Sequence, residues 1–279
     1  MTELPTSDVD TLIRYELRNG VAHVRIDAPH QGNALNAAMR DRLADRFVEA
    51  SADLAVRSVI LTGSGTRHFC TGAALGGPKK SGPPRPEGAP TPASGETARL
   101  VREGWQRLIA SILDCEKPVI AAVNGTAAGG GAQLAIACDL LVAAESARFI
   151  EVFVRRGIMP DAGGCYLLPR LVGLPRAKEL MFLGDPCDAS TALTIGLVNR
   201  VVPDDDLSPT ATALAERFND LPGRAIALTK RMLNRSFESS REQSFDDEAN
   251  FQELVMATQD SKEGLAAFAE RRDPDFHGW

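Results

Sequence analysis

Hydrophobic and polar positions follow different periods in the two parts of this chain. Up to residue 206, short apolar runs typical of strands alternate with segments of helical spacing, which predicts crossover units with mainly parallel strands. From residue 207 to residue 279 the spacing is helical only. The pattern therefore predicts an α/β fold with a core over 1–206, followed by a helical region over 207–279 that joins subunits or covers a site.

The first elements of the core follow a short stretch without a clear period. Residues 1–10 are predicted to be a loose tail, and 13–26 alternate around an Asn-Gly pair at 19–20, which is the strongest short signal for a β-hairpin. Residues 37–51 have apolar side chains at helical spacing, and 56–62 form a continuous apolar run. We therefore expect a hairpin, an amphipathic helix and a buried strand, in that order.

The stretch 118–144 carries the most informative pattern. Residues 119–123 indicate a strand buried on both faces, and a tight loop, three glycines at 129–131 and an apolar helix follow. The N–H groups of such a glycine turn are open to close approach, so the turn can stabilise an anion or a developing negative charge. The alternative is that the glycines only allow close packing of helix on strand. Another glycine turn, earlier in the chain at 63–72, favours the functional interpretation.

A Pro/Gly-rich insert over 76–95 directly follows the glycine turn at 63–72. Few of its residues could pack in a core, so we predict a flexible loop, either a lid over a site or an inert surface loop. The other predicted elements are short strands at 148–151 and 198–202 and helices at 96–111, 166–171, 211–219, 224–236, 245–258 and 262–271.

Composition narrows the class of protein. The net charge of −6 and the pI near 5.4 argue against a protein that binds nucleic acid or an anionic membrane. The five cysteines are scattered without a CxxC pair, which favours a reducing compartment over disulfides or zinc; Cys70 and Cys165 are expected to pack as small apolar groups. The sequence shows neither a signal segment nor a membrane span, so we expect a cytoplasmic protein.

Five segments carry a family resemblance. They are NALNAAM at 33–39, VILTGSGTRHFCTGAAL at 59–75, PVIAAVNGTAAGGGAQLAIACDL at 118–140, GIMPDAGGCYLLPRLVG at 157–173 and IGLVNRVV at 195–202. In this order they resemble the crotonase superfamily, the enoyl-CoA hydratase/isomerase family, and the likeness extends over nearly the whole chain. One such segment would be weak evidence for the family, but five segments in the order of the family are specific evidence.

The resemblance implies a crotonase-like β/α spiral core with a C-terminal helical trimerisation region, assembled as a homotrimer or a dimer of trimers. It implies acyl-CoA thioester substrates, no metal, and no cofactor other than the coenzyme A of the substrate. It also implies an oxyanion hole that stabilises the enolate of the thioester. Its donors would be the backbone N–H groups of Ala73, directly after Gly72, and of Gly130, within the glycine triplet.

The resemblance also implies which residues contact the substrate. They are Ala34, Leu35, Phe69, Thr71, Gly72, Leu75, Gly129, Gln133 and Phe153. Gln133 and Phe153 stand at the two positions where hydratases of the family carry glutamates. Neither side chain can act as an acid or base near neutral pH, which argues against the two-glutamate mechanism of water addition.

Asp161 is the remaining candidate for proton transfer. In several isomerases and dehalogenases that the chain resembles, a carboxylate at this place in the turn performs the chemistry. Asp161 lies among apolar residues in GIMPDAGG, so partial desolvation is expected to raise its pKa. The alternative is that Asp161 caps the following helix. Glu151 is expected to face away from the site in a solvated or ion-paired position.

Three functions stay open at this point. The first is double-bond isomerisation in an acyl-CoA thioester with Asp161 as proton shuttle. The second is water addition to a 2-enoyl-CoA by Asp161, alone or with Glu151, and the third is a non-catalytic CoA-binding scaffold. The sequence contains no P-loop, no complete dinucleotide fingerprint and no GxSxG motif, which argues against nucleotide-binding proteins and serine hydrolases.

Overall fold

The computed structural model describes residues 6–74, 86–90 and 93–279. Its strands are β1 (Ile13–Arg18), β2 (Val21–Ile26), β3 (Ser58–Gly63), β4 (His68–Cys70), β5 (Val119–Val123), β6 (Thr126–Ala128), β7 (Leu140–Ala144), β8 (Arg148–Ile150), β9 (Cys187–Asp188) and β10 (Arg200–Val202). Its helices are α1 (Thr6–Leu12), α2 (Ala37–Ala52), α3 (Glu96–Val101), α4 (Arg107–Leu113), α5 (Gly130–Ile136), α6 (Gly164–Val172), α7 (Leu174–Leu183), α8 (Ala189–Thr194), α9 (Leu207–Glu216), α10 (Gly223–Arg235), α11 (Arg241–Met256) and α12 (Gln259–Glu270). A π-helical turn, Arg102–Gln106, joins α3 to α4.

Two sheets organise these elements. The first has six strands in the order β1-β2-β3-β5-β7-β10 and is parallel except for the β1–β2 hairpin. The second has the order β4-β6-β8-β9, and β4, β6 and β8 run parallel. Since neighbouring parallel strands end at the same edge of a sheet, the loops that follow β4 and β6 lie side by side. The loop after β4 carries Gly72, the last glycine of the turn predicted at 63–72, which β4 divides, and the loop after β6 carries the glycine triplet that begins at Gly129.

Burial on both faces explains why β5 lies inside the six-stranded sheet. Val119, Ala121 and Val123 belong to the main core, whereas Ile120 and Ala122 belong to a second core on the opposite face. Apolar side chains of α9 close this second core. The continuous apolar run is therefore a strand in which both alternating sets of side chains are buried, as predicted.

Helix α2 begins at a side-chain cap. The side chain of Asn36 accepts a hydrogen bond from Met39 N at 2.9 Å, which pairs one of the N–H groups that a helix leaves without a partner at its start. The buried face of the helix includes Met39, Leu43 and Phe47. The cap and the apolar face together fix where this helix begins and which side faces the core.

We expect Asn36→Ala to lower the free energy of unfolding by about 1 kcal/mol, because an alanine side chain cannot accept this hydrogen bond. Urea unfolding measures the change. Asn36→Ser keeps an oxygen acceptor and should cost only about 0.3 kcal/mol. Equal losses in both variants would contradict the capping role.

The C-terminal helices are anchored to the core through Lys230 of α10. Its Nζ donates hydrogen bonds to Asp139 Oδ2 at 2.7 Å, to Ile112 O at 3.0 Å and to Lys117 O at 3.2 Å. Away from this anchor, the C-terminal region exposes large apolar side chains. Among them are Leu233, Phe237, Phe245, Leu254, Leu265 and Phe268.

Three details of the predicted fold were wrong. Helix α1 begins at Thr6, within the stretch predicted to be a loose tail. The apolar run after the three glycines is not a single helix, because α5 ends at Ile136 and a strand, β7, follows; short apolar runs fit a buried strand as well as a helix. Cys70 is buried as predicted, but Cys165 is exposed. Within the described ranges, no helix combines the length and the hydropathy needed to cross a bilayer.

Candidate active site

The two glycine turns meet at the end of the four-stranded sheet. Gly72 has a φ of +89°, and a Cβ atom at this residue would lie 3.0 Å from Ala128 O and 3.1 Å from Gly130 N. A residue with a side chain would therefore be strained and crowded here. The absence of a side chain lets the backbone of the first turn come close to the N–H group of the second.

The predicted oxyanion donors are the N–H groups of Ala73 and Gly130. In the bridge between Leu35 and Ala73, Leu35 N donates to Gly72 O at 2.8 Å and Ala74 N donates to Leu35 O at 3.0 Å. The N–H group of Ala73 therefore points away from Leu35, and Ala73 is exposed. Gly130 is the first residue of α5. Neither N–H group donates a hydrogen bond to another residue of the described ranges.

A buried asparagine, which the sequence motifs did not single out, holds the first turn in place. Asn33 is fully buried. Its Oδ1 accepts a hydrogen bond from Ala28 N at 3.0 Å, and its Nδ2 donates to Ser64 O at 3.0 Å and to His68 O at 2.7 Å. These bonds tie the loop after β2 to the loop between β3 and β4. The available signal was the position of Asn33 at the start of the NALN segment, a segment interpreted only as a substrate loop.

Close packing around the second turn also requires glycine. A Cβ atom at Gly131 would lie 1.9 Å from Cys70 O, and one at Gly130 would lie 2.7 Å from the ring of Trp105. Trp105 is nearly buried and comes from the π-helical turn between α3 and α4. Packing therefore accounts for Gly131, while Gly130 combines contact with an aromatic ring and an unpaired N–H group.

The two positions at which the resemblance places glutamates are both buried. The ring of Phe153 lies 3.8 Å from the position of a Cβ atom at Gly129. Gln133 is fully buried, and its Nε2 donates a hydrogen bond to Glu151 Oε2 at 2.6 Å. Glu151 is only 6% exposed, so the prediction of a solvated or ion-paired Glu151 was wrong. Its burial depends on packing against α5, which the short strand pattern around it does not reveal.

Burial also determines the acidity of Glu151. Desolvation raises the pKa of its carboxyl group to about 7, and the hydrogen bond from Gln133 offsets part of this effect. A carboxyl group of this kind exists in both protonation states near neutral pH. The site region therefore contains two carboxyl groups with raised pKa values, Glu151 and Asp161.

Asp161 lies in a tight turn before α6. Ala162 and Gly163 have φ values of +51° and +77°, and Gly164 N donates to Asp161 O at 3.1 Å. Gly163 precedes α6 and no side chain caps that helix, so the alternative role of Asp161 as a cap is not observed. Partial burial raises the pKa of the Asp161 carboxyl group, and a backbone hydrogen bond partly opposes the increase. A carboxylate with a raised pKa is the stronger base.

Gly164 connects the Asp161 turn to the glycine turn. A Cβ atom at Gly164 would lie 2.6 Å from the side-chain amide of Gln133. Gln133 follows Gly130 by three residues on α5, so the two lie on the same side of this helix. The structure therefore brings the Asp161 turn, Gln133 and Gly130 into one region.

The other residues predicted to contact the substrate are buried or are hydrogen-bonded to the backbone. Ala34 and Leu35 are buried, Phe69 is fully buried in the main core, and Thr71 Oγ1 donates to Gly32 O at 3.0 Å. In this arrangement Phe69 supports the turn by packing. Thr71 holds the loop after β4 against the loop after β2.

Part of the prediction falls outside the described residues. Leu75, together with 76–85 and 91–92 of the insert, is not within the described ranges. Residues 86–90 and 93–95 are described, and Gly95 directly precedes α3. The proposed role of the insert as a lid stays a prediction.

Comparison with known proteins identifies relatives of this chain. The family model described as "Enoyl-CoA hydratase/isomerase" matches residues 16–278. A "Probable enoyl-CoA hydratase" from Rhodobacter capsulatus is 39% identical over 266 residues, which cover 95% of this chain and 98% of that protein. A "1,2-epoxyphenylacetyl-CoA isomerase" from Escherichia coli is 34% identical over 262 residues, which cover 94% of this chain and 97% of that protein.

Solved structures give the same result. An enoyl-CoA hydratase from Bacillus anthracis superposes with a TM-score of 0.86 at 32% identity, covering 96% of this chain and 100% of that one. The fold predicted from the five segments is thereby confirmed. The relatives carry names for both hydration and isomerisation, so their names do not decide between the two reactions for this chain.

Proposed function

Because the chain belongs to the enoyl-CoA hydratase/isomerase family, we propose that this enzyme moves a double bond within an acyl-CoA thioester, with Asp161 as its proton shuttle. The observation that most supports this reaction is a combination of groups. Two N–H groups on adjacent turns, those of Ala73 and Gly130, accompany a half-buried carboxyl group in the turn before α6.

In the proposed reaction the thioester carbonyl oxygen accepts hydrogen bonds from Ala73 N–H and Gly130 N–H. The Asp161 carboxylate removes a proton from C2 of a 3-enoyl-CoA, and the electron pair of the broken C–H bond forms a dienolate whose charge develops on that oxygen. Asp161 then returns the proton at C4, which leaves the double bond between C2 and C3. Each backbone donor is expected to contribute about 3 kcal/mol to transition-state stabilisation.

This reaction needs one base and no activated water. The positions that supply the two glutamates in hydratases of the family hold Gln133 and Phe153 here, and neither is an acid or base near neutral pH. The proposed reaction uses no metal and no cofactor other than the coenzyme A of the substrate. Isomerisation is therefore the reaction that the available groups support best.

A second candidate is water addition to a 2-enoyl-CoA, and Glu151 is the observation that favours it. This carboxyl group is buried, hydrogen-bonded to Gln133 and has a pKa raised to about 7. Hydration requires a group that delivers a proton as well as one that accepts it. Glu151 together with Asp161 would supply such a pair.

We also infer that the chain assembles as a homotrimer or a dimer of trimers through the region 207–279. The support is the set of exposed apolar side chains in its helices, among them Phe237, Phe245 and Phe268. Apolar surface of this kind is typical of a protein interface. A cytoplasmic location also stays part of the proposal.

We expect Gly72→Ala to lower kcat about 10- to 100-fold while the protein stays folded. The added Cβ atom would press on Ala128 O and Gly130 N, at 3.0 Å and 3.1 Å, from a residue with a φ of +89°. The two N–H groups would then separate, and hydrogen bonds to the developing negative charge would weaken. Steady-state kinetics measures the change. Gly196→Ala is the control, because Gly196 has a φ of +79° and no heavy atom nearer than 4.0 Å to its Cβ position; it should keep the wild-type kcat.

Mass spectrometry of the products tests the reaction itself. The protein is incubated with a panel of 2-enoyl- and 3-enoyl-CoA thioesters of matched chain length. A product of unchanged mass with a moved double bond is the expected result. A product heavier by one water molecule would replace isomerisation with hydration. Tight binding of CoA without any turnover would instead favour a non-catalytic scaffold.

A further inference from the structure

The N–H group of Gly130 depends on other segments for its position. Gly129, Gly130 and Gly131 have no side chains, and glycine has the widest range of backbone conformations of any residue. The carbonyl oxygen of Gly129 accepts hydrogen bonds from Ala132 N at 2.9 Å and from Gln133 N at 3.1 Å. Since the C=O and N–H groups of a trans peptide point in opposite directions, these bonds direct the Gly130 N–H group away from α5. Contacts from outside the triplet must hold the α-carbon of Gly130 in place.

The ring of Trp105 supplies such a contact. The three heavy atoms nearest to the Cβ position at Gly130 all belong to Trp105, with Cη2 at 2.7 Å, Cζ2 at 2.8 Å and Cζ3 at 2.9 Å. These atoms form the outer edge of the indole, and Trp105 is only 9% exposed. The φ of Gly130 lies outside the left-handed region. The backbone would therefore accept alanine at this position, and the Trp105 ring occupies the space that its methyl group would need.

Trp105 comes from the π-helical turn between α3 and α4. Arg107 N donates a hydrogen bond to Arg102 O, five residues earlier. Such turns are rare and occur frequently at functional sites. On the side of α2, a Cβ atom at Gly104 would lie 2.4 Å from Nη1 of Arg40. The turn is therefore packed between α2 and the glycine triplet.

The same helical segment also contacts the turn that carries Asp161. Ile109 follows Trp105 by four residues, so the two side chains lie on the same side of the segment. Ile109 is 4% exposed, and its Cγ2 lies 3.5 Å from the position of a Cβ atom at Gly163, two residues after Asp161. One segment therefore touches both Gly130 and the turn of the proposed base. The spacing between these two groups depends on it.

We propose that Trp105 is a positioning residue whose ring holds Gly130 so that its N–H group meets the thioester oxygen. Ile109 keeps the Asp161 turn at the matching distance. This inference rests on the proposed function, because the enolate of the thioester is what needs the donor. A shorter side chain at Trp105 would leave a gap behind Gly130. The glycine turn would shift into this gap, and the hydrogen bond to the developing charge would weaken.

Trp105→Phe is the first test, because phenylalanine keeps an aromatic ring but lacks the outer edge that reaches Gly130. We expect kcat to fall about tenfold, while the Kd for butyryl-CoA changes by less than about twofold. Trp279→Phe makes the same change at the other tryptophan of the chain, which is exposed, and should keep the wild-type kcat. Steady-state kinetics and calorimetric titration of the full chain measure the two constants.

Infrared spectroscopy of bound butyryl-CoA reports on the donor itself. Hydrogen bonds lower the stretching frequency of a carbonyl group, and an isotopic label at the thioester carbonyl separates its band from those of the protein. The wild type should lower this frequency relative to the free thioester. Trp105→Phe should show about half of the wild-type shift, since one of the two donors is displaced. A loss of packing without a change at Gly130 would not move this band.

Gly130→Ala tests the contact from the other side. Alone, it presses a methyl group against the Trp105 ring and should lower kcat about 100-fold. Combined with Trp105→Phe, the methyl group enters the space that the shorter ring leaves, and kcat should return to within about threefold of Trp105→Phe alone. Independent effects would instead multiply. If Trp105→Phe does not fold, Trp105→Leu takes its place in the same comparison.

The possible failures are distinguishable. An unchanged kcat and an unchanged carbonyl band in Trp105→Phe would overturn the positioning role alone, as would losses that multiply in the double variant. Weaker binding of butyryl-CoA with an unchanged band would make Trp105 a substrate contact and would also overturn that role. A wild type that binds butyryl-CoA without any shift of the band, or does not bind it, would overturn the proposed function together with this inference.

Discussion

Asp161→Asn is expected to lower kcat about 10³-fold on the thioester that the wild type turns over. Asparagine has nearly the same shape but cannot remove a proton from carbon. The N–H groups of Ala73 and Gly130 stay in place, so binding of the thioester should change little. A loss confined to kcat means that an interaction specific to the transition state is gone, here worth about 4 kcal/mol. Steady-state kinetics with the double-bond assay measures both constants.

The control for this variant is Asp205→Asn, which makes the same change at an exposed residue between β10 and α9. It should keep the wild-type rate within about twofold, since an exposed substitution away from the site perturbs little. Wild-type activity in Asp161→Asn would remove Asp161 from the mechanism. A large rise in KM with unchanged kcat would make it a binding residue instead.

Glu151→Gln is expected to stabilise the protein at high pH and not at low pH. The folded state raises the pKa of Glu151 from 4.5 to about 7 because burial disfavours the charged form. Below pH 4.5 the carboxyl group is protonated in both states and costs nothing. Between pH 4.5 and about pH 7, Glu151 is ionised in the unfolded chain and protonated in the folded protein, so the free energy of unfolding of the wild type falls as the pH rises. Above pH 7 the folded protein also holds the buried charge, and the full loss of stability applies.

The difference between the two pKa values corresponds to about 3 kcal/mol. Glutamine cannot ionise, so Glu151→Gln should exceed the wild type in free energy of unfolding by about 3 kcal/mol more at pH 8 than at pH 4. Urea unfolding at pH 4, 6 and 8 measures this. Glu253→Gln on the exposed face of α11 should show no such dependence. An effect of Glu151→Gln that is equal at all three pH values would contradict a buried, ionising Glu151.

Local sequence patterns predicted the strands that are determined by residues close to one another in the chain. The Asn19-Gly20 pair and the alternation on either side of it define the β1–β2 hairpin, which pairs in that register. The apolar run 119–123 identifies β5, with the bounds that the structure has. Order along the chain, together with the five family segments, was enough for the fold class.

Contacts between segments that are far apart in the sequence could not be predicted from local patterns. Glu151 is 18 residues from Gln133, and nothing near either residue in the sequence indicates that the two side chains meet in the interior. Asn33 bonds to carbonyl groups 31 and 35 residues away, through a loop whose path follows from tertiary packing. Leu140–Ala144 was expected to be helical because its apolar run fits both elements, and only pairing with β5 and β10 identifies it as a strand.

The features of the candidate site also divide into those that the local sequence indicates and those that depend on contacts between distant segments. Glycine turns at 63–72 and 129–131 are visible in the sequence, and the resemblance to the family implied Ala73 and Gly130 as the donors. The orientation of the Ala73 N–H group depends on the bridge to Leu35, which belongs to a separate loop. Likewise, the sequence left a capping role open for Asp161, and only the observed start of α6 at Gly163 and Gly164 argues against it.

Exchange of hydrogen at C2 of the thioester is the most direct test of the central claim, which is proton transfer by Asp161 onto an enolate held by Ala73 and Gly130. The wild type and Asp161→Asn are incubated with a 3-enoyl-CoA in deuterated water, and deuterium at C2 and C4 is followed by mass spectrometry. The proton held on the Asp161 carboxyl group exchanges with the solvent before it is delivered to C4. We therefore predict that the wild type moves the double bond and incorporates deuterium, and that Asp161→Asn incorporates about 10³-fold more slowly. Equal rates of deuterium incorporation by the two proteins would contradict proton transfer by Asp161.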